Sequence, residues 1–344
     1  MRELNPSQIE LTTAASGLYE SFYFRGTSQT GHHAFWLKHN LLRYRGSERV
    51  KLECALILFD RERNTVAAAH DEALLEGKQY EGLVQPGGWD DFRFRFPGNS
   101  QFSIAPAKLE GKLPGASWSL ATHGSGETLF HYTPLSLYTS RFPKKKILTR
   151  DIRVRFEGEL AIGELTMSGH FIGMNGHNWG TEHAQRYGYA NCQQWDGGAD
   201  AIFDAFSAKV RLLPGITSPY VTIAALKLDN TWHYFNKLSA APWQRVSHLS
   251  DYRWSFAATN STHRLEADID GSDPHTRPWV ALNYQHPSHA VSVVKNTKFA
   301  TGRIRLIERA TRHERLLTSN LVELETLLEK NKADPAEGYR SNNV

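Results

Sequence analysis

The sequence predicts an all-β protein built from two antiparallel β-barrels in tandem, followed by a C-terminal amphipathic helix. Apolar and polar residues alternate over most of the chain from residue 20 to residue 308, as in strands with one buried face. Turn residues separate these segments at short intervals, which is typical of barrels and sandwiches. The strands number about twice the roughly eight that close one small barrel, so two barrels fit.

The predicted strands follow one another along the whole chain. Long strands are predicted over 34–44 and 50–59, and a shorter one over 64–70 after the turn-like segment 60–64. The next strands are predicted at 91–96, 101–112, 116–121, 151–157 and 159–173, with a hairpin turn at Gly158. Glycine and polar residues interrupt the alternation over 173–183. Strands then resume at 186–196, 199–212, 219–227, 231–236, 252–258, 263–269, 279–284, 289–297 and 302–308.

One segment near the C-terminus has helical rather than strand periodicity. Its leucines, which are spaced as on one face of a helix, are Leu316, Leu317, Leu321, Leu324, Leu327 and Leu328. This face is expected to pack on a barrel wall or to form a dimer contact. The predicted division of the chain is therefore a first barrel over 1–190, a second barrel over 191–311, and a helix and tail over 312–344.

Composition excludes several classes of protein. The chain has 344 residues, of which 40% are hydrophobic and 22% charged, so it can bury a core and is not disordered. The net charge is only +4 and basic residues are scattered, which argues against nucleic-acid binding. The one basic run, 144–146, is expected on a solvated loop. No apolar run approaches the ~20 residues of a membrane span. The N-terminus lacks the order of a signal peptide, so a cytoplasmic location is expected.

Motifs of hydrolases, nucleotide-binding proteins and metal sites are missing from the sequence. There is no nucleophile elbow, no phosphate-binding glycine loop and no dinucleotide fingerprint. His177 and His183 do not match a metal-ligand spacing, so neither a metal nor a cofactor is predicted. Cys54 and Cys192 both lie in predicted strands and are expected to be buried thiols.

The densest group of polar and aromatic residues lies between residues 175 and 195. If 186–195 is a strand, one of its faces carries Tyr187, Tyr189, Asn191, Gln193 and Trp195. That face either lines a ligand pocket with aromatic walls or packs into the core, where the aromatic side chains only fill space. A similar split occurs in 34–42, where Trp36, Lys38 and Asn40 share a face. If that face is buried, Lys38 is expected to meet a carboxylate or a ligand, because an unpaired buried charge is costly. Otherwise Lys38 faces solvent.

Two neighbouring residues in this group are the best candidates for proton transfer. Glu182 and His183 carry the side chains that most often act as general acids and bases. In the structural alternative, Glu182 pairs with Arg186 at the barrel rim. The predicted catalytic residues are Glu182 and His183, and the predicted ligand-binding residues are Trp36, Lys38, Asn175, His177, Asn178, Trp179, Arg186, Tyr187, Tyr189, Gln193 and Trp195.

Several segments resemble one known family. They read SFYFRG, AFWLKHNLL, LFDRERNTVAA and, most specifically, GMNGHNWGTEHAQRYGY. Together they resemble the lipocalin-like superfamily of AttH and hydroxyneurosporene synthase, which includes carotenoid 1,2-hydratases and, more distantly, tocopherol cyclases and decalin-forming cyclases. The resemblance implies two lipocalin-like (calycin) barrels with an apolar cavity. It also implies hydration, cyclisation or isomerisation of polyene or prenyl-like substrates without a cofactor, and it supports 175–187 and 36–38 as site segments.

Two functional hypotheses follow from the sequence. The first is a cofactor-independent enzyme, a hydratase, cyclase or isomerase, that holds an apolar small molecule in a barrel cavity or between the two barrels. Aromatic rings would stabilise a transient cation, and acid–base residues would move the proton. The second is a carrier or sensor that binds a lipophilic molecule without chemistry. A homodimer is a further possibility for the leucine-rich segment, and the sequence does not identify the ligand.

Overall fold

The protein is built almost entirely from antiparallel strands. A computed structural model describes residues 15–76, 84–85, 92–95, 100–105, 107–213, 216–237, 244–273, 277–328 and 339–341. The strands form two large curled sheets, which confirms the predicted all-β class and the tandem lipocalin-like barrels. A two-stranded ribbon and two short 3-10 turns, Leu135–Tyr138 and Asp196–Gly198, complete the described structure.

The first sheet takes the N-terminal part of the chain. Its strands are β1 (Leu18–Ser28), β2 (His33–Arg43), β3 (Val50–Asp60), β4 (Thr65–Leu75), β5 (Val84–Gln85), β6 (Phe92–Arg95), β7 (Gln101–Ala105), β8 (Lys108–Leu113), β9 (Ala116–Gly124), β10 (Leu129–Phe130), β11 (Lys145–Ile162) and β12 (Leu165–Gly180). They are ordered β4-β3-β2-β1-β12-β11-β9-β8-β7-β6-β5, with β10 on β11. The sheet curls around an apolar core that includes Phe35, Leu56, Phe156 and Phe171.

The second sheet follows after a connection at residues 181–185. Its strands are β13 (Arg186–Cys192), β14 (Ala201–Lys209), β17 (Val221–Leu228), β18 (Thr231–Phe235), β19 (Arg245–Leu249), β20 (Arg253–Thr259), β21 (His263–Asp270), β22 (Val280–Gln285), β23 (Val291–Glu308), β24 (Glu314–Leu327) and β25 (Tyr339–Ser341). The order is β18-β17-β14-β13-β24-β23-β21-β20-β19, with β22 on β23 and β25 on β22. The ribbon consists of β15 (Arg211–Leu213) and β16 (Ile216–Thr217).

The two sheets pack against each other through the faces that do not point into their own cores. One apolar cluster joins Trp36 and Met174 of the first sheet to Phe299 of the second. Another joins Trp179 to Phe206. Because residues of a strand alternate between its two faces, each of these central strands is buried on both sides. Apolar contacts therefore join the two sheets.

The predicted C-terminal helix is wrong, because its leucine-rich segment forms strand β24. Leu317 and Leu324 are buried in the core of the second sheet, whereas Leu316 is 47% exposed. β24 pairs with β13 on one side and with β23 on the other. The leucines fit a period of 3.6, and they fit a period of two only because the register of β24 on β23 shifts between Ser319 and Leu324. Pairing with a strand on each side decides for the strand.

Two predicted breaks in the strands are also wrong. Strand β12 continues through the expected interruption at 173–183 as far as Gly180, and Gly158 lies inside β11 instead of at a hairpin turn. The glycines permit close approach of neighbouring backbones. A Cβ at Gly173 would lie 1.8 Å from the carbonyl oxygen of Arg25, and one at Gly158 would lie 2.1 Å from that of Ser119. These glycines therefore mark places where two paired strands lie unusually close, and the chain does not turn back at them.

Three smaller expectations can be compared with the structure. Cys54 and Cys192 are free and buried, as predicted. The part of the chain that is described contains no helix long and apolar enough to span a membrane. The division of the chain at residue 190 stays a prediction; the chain leaves the first sheet at Gly180 and enters the second at Arg186.

Candidate active site

A cavity of about 160 Å³ lies between the two sheets. This is far more space than the roughly 10–15 Å³ that a single water molecule requires. Its aromatic walls come from Tyr19, Tyr23, Trp36, Tyr187, Phe206 and Tyr284. The sequence leaves open whether the cavity lies inside a barrel or between the two. Within the described residues both barrel interiors hold apolar cores, and this cavity is formed by the opposite faces of the strands.

Strand alternation explains which side chains reach the cavity. In β1, Tyr19, Tyr23 and Arg25 line the cavity, whereas Phe22 and Phe24 enter the core of the first sheet. The same division in β2 agrees with the faces predicted for 34–42. There Trp36, Lys38 and Asn40 line the cavity, while Phe35 and Leu37 are core residues.

A buried ion-pair network crosses from one sheet to the other at the cavity. Arg25 of β1 forms an ion pair with Glu323 of β24. Glu323 also accepts hydrogen bonds from Lys298 at 2.7 Å and from Asn296 at 2.9 Å. The side chains of Arg25, Glu323 and Lys298 are 5%, 5% and 3% exposed. Each charge therefore depends on its partners, because an unpaired charge at this depth is costly.

The pKa values in this network reflect burial opposed by neighbouring charges. Burial by itself would raise the pKa of Glu323, but the cations Arg25 and Lys298 and the hydrogen bonds to Lys298 and Asn296 hold it below its ordinary value. Burial lowers the pKa of Lys298 to about 8, although Glu323 opposes this shift. The charged forms of Glu323 and Lys298 therefore stabilise each other against the cost of burial.

A second carboxylate on β24, Glu325, accepts hydrogen bonds from two tyrosines. The hydroxyl of Tyr187 donates to Oε1 at 2.6 Å, and that of Tyr284 donates to Oε2 at 3.3 Å. Asn296 donates to Oε2 at 3.0 Å. Burial, reinforced by the charge of Glu325, raises the pKa of both tyrosines well above the ordinary value. The two phenols therefore stay protonated at neutral pH and can relay a proton to the carboxylate.

A third buried carboxylate, Asp204 of β14, lies next to this group. Its Oδ2 accepts hydrogen bonds from Tyr189 at 3.3 Å, from Asn191 at 2.9 Å and from Thr149 at 3.1 Å. Arg25 donates to the hydroxyl of Tyr189, so Asp204 is connected to the ion-pair network through that tyrosine. Tyr189 thus bridges two charged groups at the wall of the cavity.

The predicted catalytic pair lies at one end of the cavity. Glu182 and His183 both line it. Glu182 forms an ion pair with Lys144 at 2.8 Å and with Arg211 at 3.7 Å, both of which are about half exposed. The ring of His183 stacks on Tyr19, with centroids 3.6 Å apart. Glu182 therefore closes the mouth of the cavity with two cations, instead of pairing with Arg186.

The remaining predicted ligand-binding residues divide between the cavity and other surroundings. Asn178 lines the cavity with the residues named above. Those outside the cavity lining are Asn175, His177, Trp179, Arg186, Gln193 and Trp195. Trp195 enters the core of the second sheet because β13 ends at Cys192 and the alternation ends with it. The ring of His177 stacks on Trp179 with centroids 4.5 Å apart, and its Nε2 lies 2.8 Å from Glu20.

Sequence reasoning missed the charged residues that organise the site. Arg25, Lys298, Glu323 and Glu325 were not predicted, and the basic run 144–146 was expected on a solvated loop. Lys146 is instead 5% exposed, and Lys145 lines the cavity. The alternation of Glu323 and Glu325 with Val322 and Leu324 was the available signal. That alternation predicts a strand with two carboxylates on one face and apolar side chains on the other.

One group outside the cavity has side chains suited to a metal. Ligand atoms of His33, Asp60 and Glu62 lie within 4.8 Å of one another in the described part of the chain. Asp60 also accepts a hydrogen bond from the guanidinium of Arg63 at 2.8 Å, which supplies a cation there already.

Comparisons with known proteins agree with the architecture. No family model and no curated protein matches the sequence. Among solved structures, an AttH-like protein from Nitrosomonas europaea matches with a TM-score of 0.52 and 10% identity, over 90% of this chain and 92% of that one. Kievitone hydratase from Nectria haematococca aligns over 96% of this chain and 93% of that chain at 7% identity, with a TM-score of 0.47. This chain therefore shares the fold of that AttH-like structure.

Proposed function

We propose that this chain is a cofactor-independent enzyme that binds a small, apolar molecule, of prenyl, polyene or polyketide type, between its two sheets. The reaction is a hydration, cyclisation or isomerisation driven by proton transfer. One observation carries the proposal: an aromatic-walled cavity is bordered by a carboxylate, Glu325, to which Tyr187 and Tyr284 donate hydrogen bonds. Apolar walls with a few convergent polar groups are typical of sites for small molecules.

The proton path follows from these contacts. His183 gives a proton to a double bond of the substrate. A substrate C–H or an attacking water then gives its proton to the Tyr187 oxygen while the Tyr187 hydroxyl proton passes to Glu325, so one proton is delivered for each one removed. The proton thus ends on a buried carboxylate that already accepts the hydrogen bond at 2.6 Å. Glu325 suits the role of base better than Glu182, because Glu182 already neutralises Lys144 and Arg211 at the mouth. His183, stacked on Tyr19, is a second proton-handling group in the same cavity.

The aromatic walls supply the other requirement of these reactions. Hydration, cyclisation and isomerisation of polyenes pass through a positively charged or strongly polarised π system. The rings of Tyr19, Tyr132 and Phe206 line the cavity and stabilise such charge. Holding a flexible substrate in one reactive conformation lowers the barrier further.

The test begins with native mass spectrometry of the protein purified from its own host, to identify a bound apolar compound. That compound is then supplied to the wild type and to Tyr187→Phe, Glu325→Gln and Tyr234→Phe. Tyr234 is the matched control, because it is 43% exposed and lies outside the cavity lining. We expect Tyr187→Phe and Glu325→Gln to lose about 10²-fold or more in turnover while retaining binding. Tyr234→Phe should match the wild type.

Two results would contradict the proposal. If the wild type returns the bound compound unchanged under all conditions, the protein is a carrier or sensor. If Tyr187→Phe and Glu325→Gln both turn the compound over at the wild-type rate, the chemistry takes place elsewhere.

A further inference from the structure

Two lysines in the cavity wall have ammonium groups without a hydrogen-bond acceptor or ion-pair partner in the described part of the chain. Lys38 of β2 is 4% exposed, and its Nζ lies 4.1 Å from the ring centroid of Tyr284 and 5.0 Å from that of Trp36. Lys145 of β11 has its Nζ 5.0 Å from the ring centroid of Tyr187. Both lysines line the cavity. Each ammonium group therefore lies over an aromatic ring.

The two ammonium groups flank a single hydrogen-bonded unit. Lys38 lies over Tyr284 and Lys145 lies over Tyr187, and these two tyrosines donate to the two oxygens of the same carboxylate, Glu325. A ligand that reaches Glu325 and its tyrosines therefore passes between two cations.

The carboxylates around these lysines are already engaged by other donors. Glu323 pairs with Arg25 and Lys298, and Glu325 accepts from two tyrosines and Asn296. Glu53 accepts a hydrogen bond from Asn40 at 2.9 Å and lies near Lys51, which pairs with Glu72. These carboxylates offset part of the lysines' charge at a distance but fill none of their hydrogen-bonding capacity.

The energetic consequence is a site that favours an added negative charge. Burial lowers the pKa of Lys38, and the charges of Glu53 and Glu325 oppose only part of this shift. Burial likewise lowers the pKa of Lys145, again opposed by Glu325. A buried ammonium without an acceptor is costly, and a charge-assisted hydrogen bond to an anion is the strongest way to relieve that cost.

We infer that the ligand carries an anionic oxygen group, a carboxylate, enolate or phenolate, which lies between the ammonium groups of Lys38 and Lys145. Its apolar body lies against Trp36 and the tyrosines of the cavity. This inference rests on the proposed function, since it specifies the ligand of the same cavity. It adds that the polar end is charged, which a neutral polyene or alcohol does not supply.

The test compares two small probes that differ only in this group, 3-phenylpropanoate and 3-phenylpropan-1-ol. Binding is measured by titration calorimetry at pH 7 on the full-length wild type, Lys38→Met, Lys145→Met and Lys112→Met. Lys112 is the matched control, because it is exposed and lies outside the cavity lining. We expect the wild type to bind the carboxylate at least about tenfold more tightly than the alcohol. Lys38→Met should lose that preference and Lys112→Met should keep it.

The remaining outcomes also decide the matter. Lys145 is only partly buried, so Lys145→Met tests the site even if Lys38→Met does not fold. If both probes bind the wild type equally, water satisfies the ammonium groups; the inference is then overturned while the proposed apolar cavity stands. If the alcohol binds and the carboxylate does not, the inference is overturned in the same way. If neither probe binds, both proposals fail.

Discussion

Replacing Glu323 with glutamine should destabilise the protein more than any single change to a surface ion pair. The substitution keeps the size of the side chain but leaves Arg25 and Lys298 without their shared counter-charge. All three side chains are at most 5% exposed, so solvent cannot compensate. Removing one partner of a buried ion pair costs about 3–5 kcal/mol. For a chain of 344 residues, that corresponds to a fall in Tm of about 4–7 °C.

The assay is thermal and urea unfolding followed by tryptophan fluorescence and circular dichroism. The matched control is Asp268→Asn, which removes the carboxylate of the ion pair with Arg253, where both side chains are 45% exposed. Such surface pairs contribute only about 0–1 kcal/mol. If Glu323→Gln shifts the free energy of unfolding by no more than Asp268→Asn does, the buried network does not join the two sheets in the way described.

Three further predictions concern stability. The pKa of Glu323 is held below its ordinary value of 4.5, so its ionised form stabilises the folded protein above pH 4.5, and this stability is lost as the pH falls below that value. The difference in unfolding free energy between wild type and Glu323→Gln, measured by urea unfolding, should therefore become smaller below pH 4.5. Gly173→Ala should lower Tm, at a cost of about 1–3 kcal/mol or more, because its Cβ would lie 1.8 Å from the Arg25 carbonyl oxygen. Leu324→Ala should cost about 2–5 kcal/mol of unfolding free energy and Leu316→Ala about 0.5 or less; equal effects would contradict strand β24.

Much of the fold was predictable because the alternation of side chains is a local property. The pattern of 34–44 gave both a strand and the correct assignment of Trp36 and Lys38 to one face. The same reasoning failed where two periods fit the same residues, as in the leucines of β24. Partner strands settle such a case, and they are distant in sequence: β24 pairs with β13, more than 120 residues earlier in the chain.

The candidate site was predictable only in part. Lys38, Tyr187, Tyr189, Glu182 and His183 were selected from dense polar and aromatic patterns, and all five line the cavity. Residues selected in the same way in β12, such as His177 and Trp179, lie outside its lining. Which member of a cluster reaches the cavity depends on where each strand ends and which face packs on the other sheet.

The sequence by itself determined that the chain forms antiparallel strands with apolar cores, because strand periodicity and turn residues act over a few residues. Only the tertiary structure decided that the cavity lies between the sheets, and that Arg25 meets Glu323 across almost 300 residues of chain. Nothing local in either segment specifies that contact. It exists because Arg25 and Glu323 lie on the faces of β1 and β24 that point away from the sheet cores and towards the other sheet. A buried charge is tolerated only where a partner of opposite charge lies beside it.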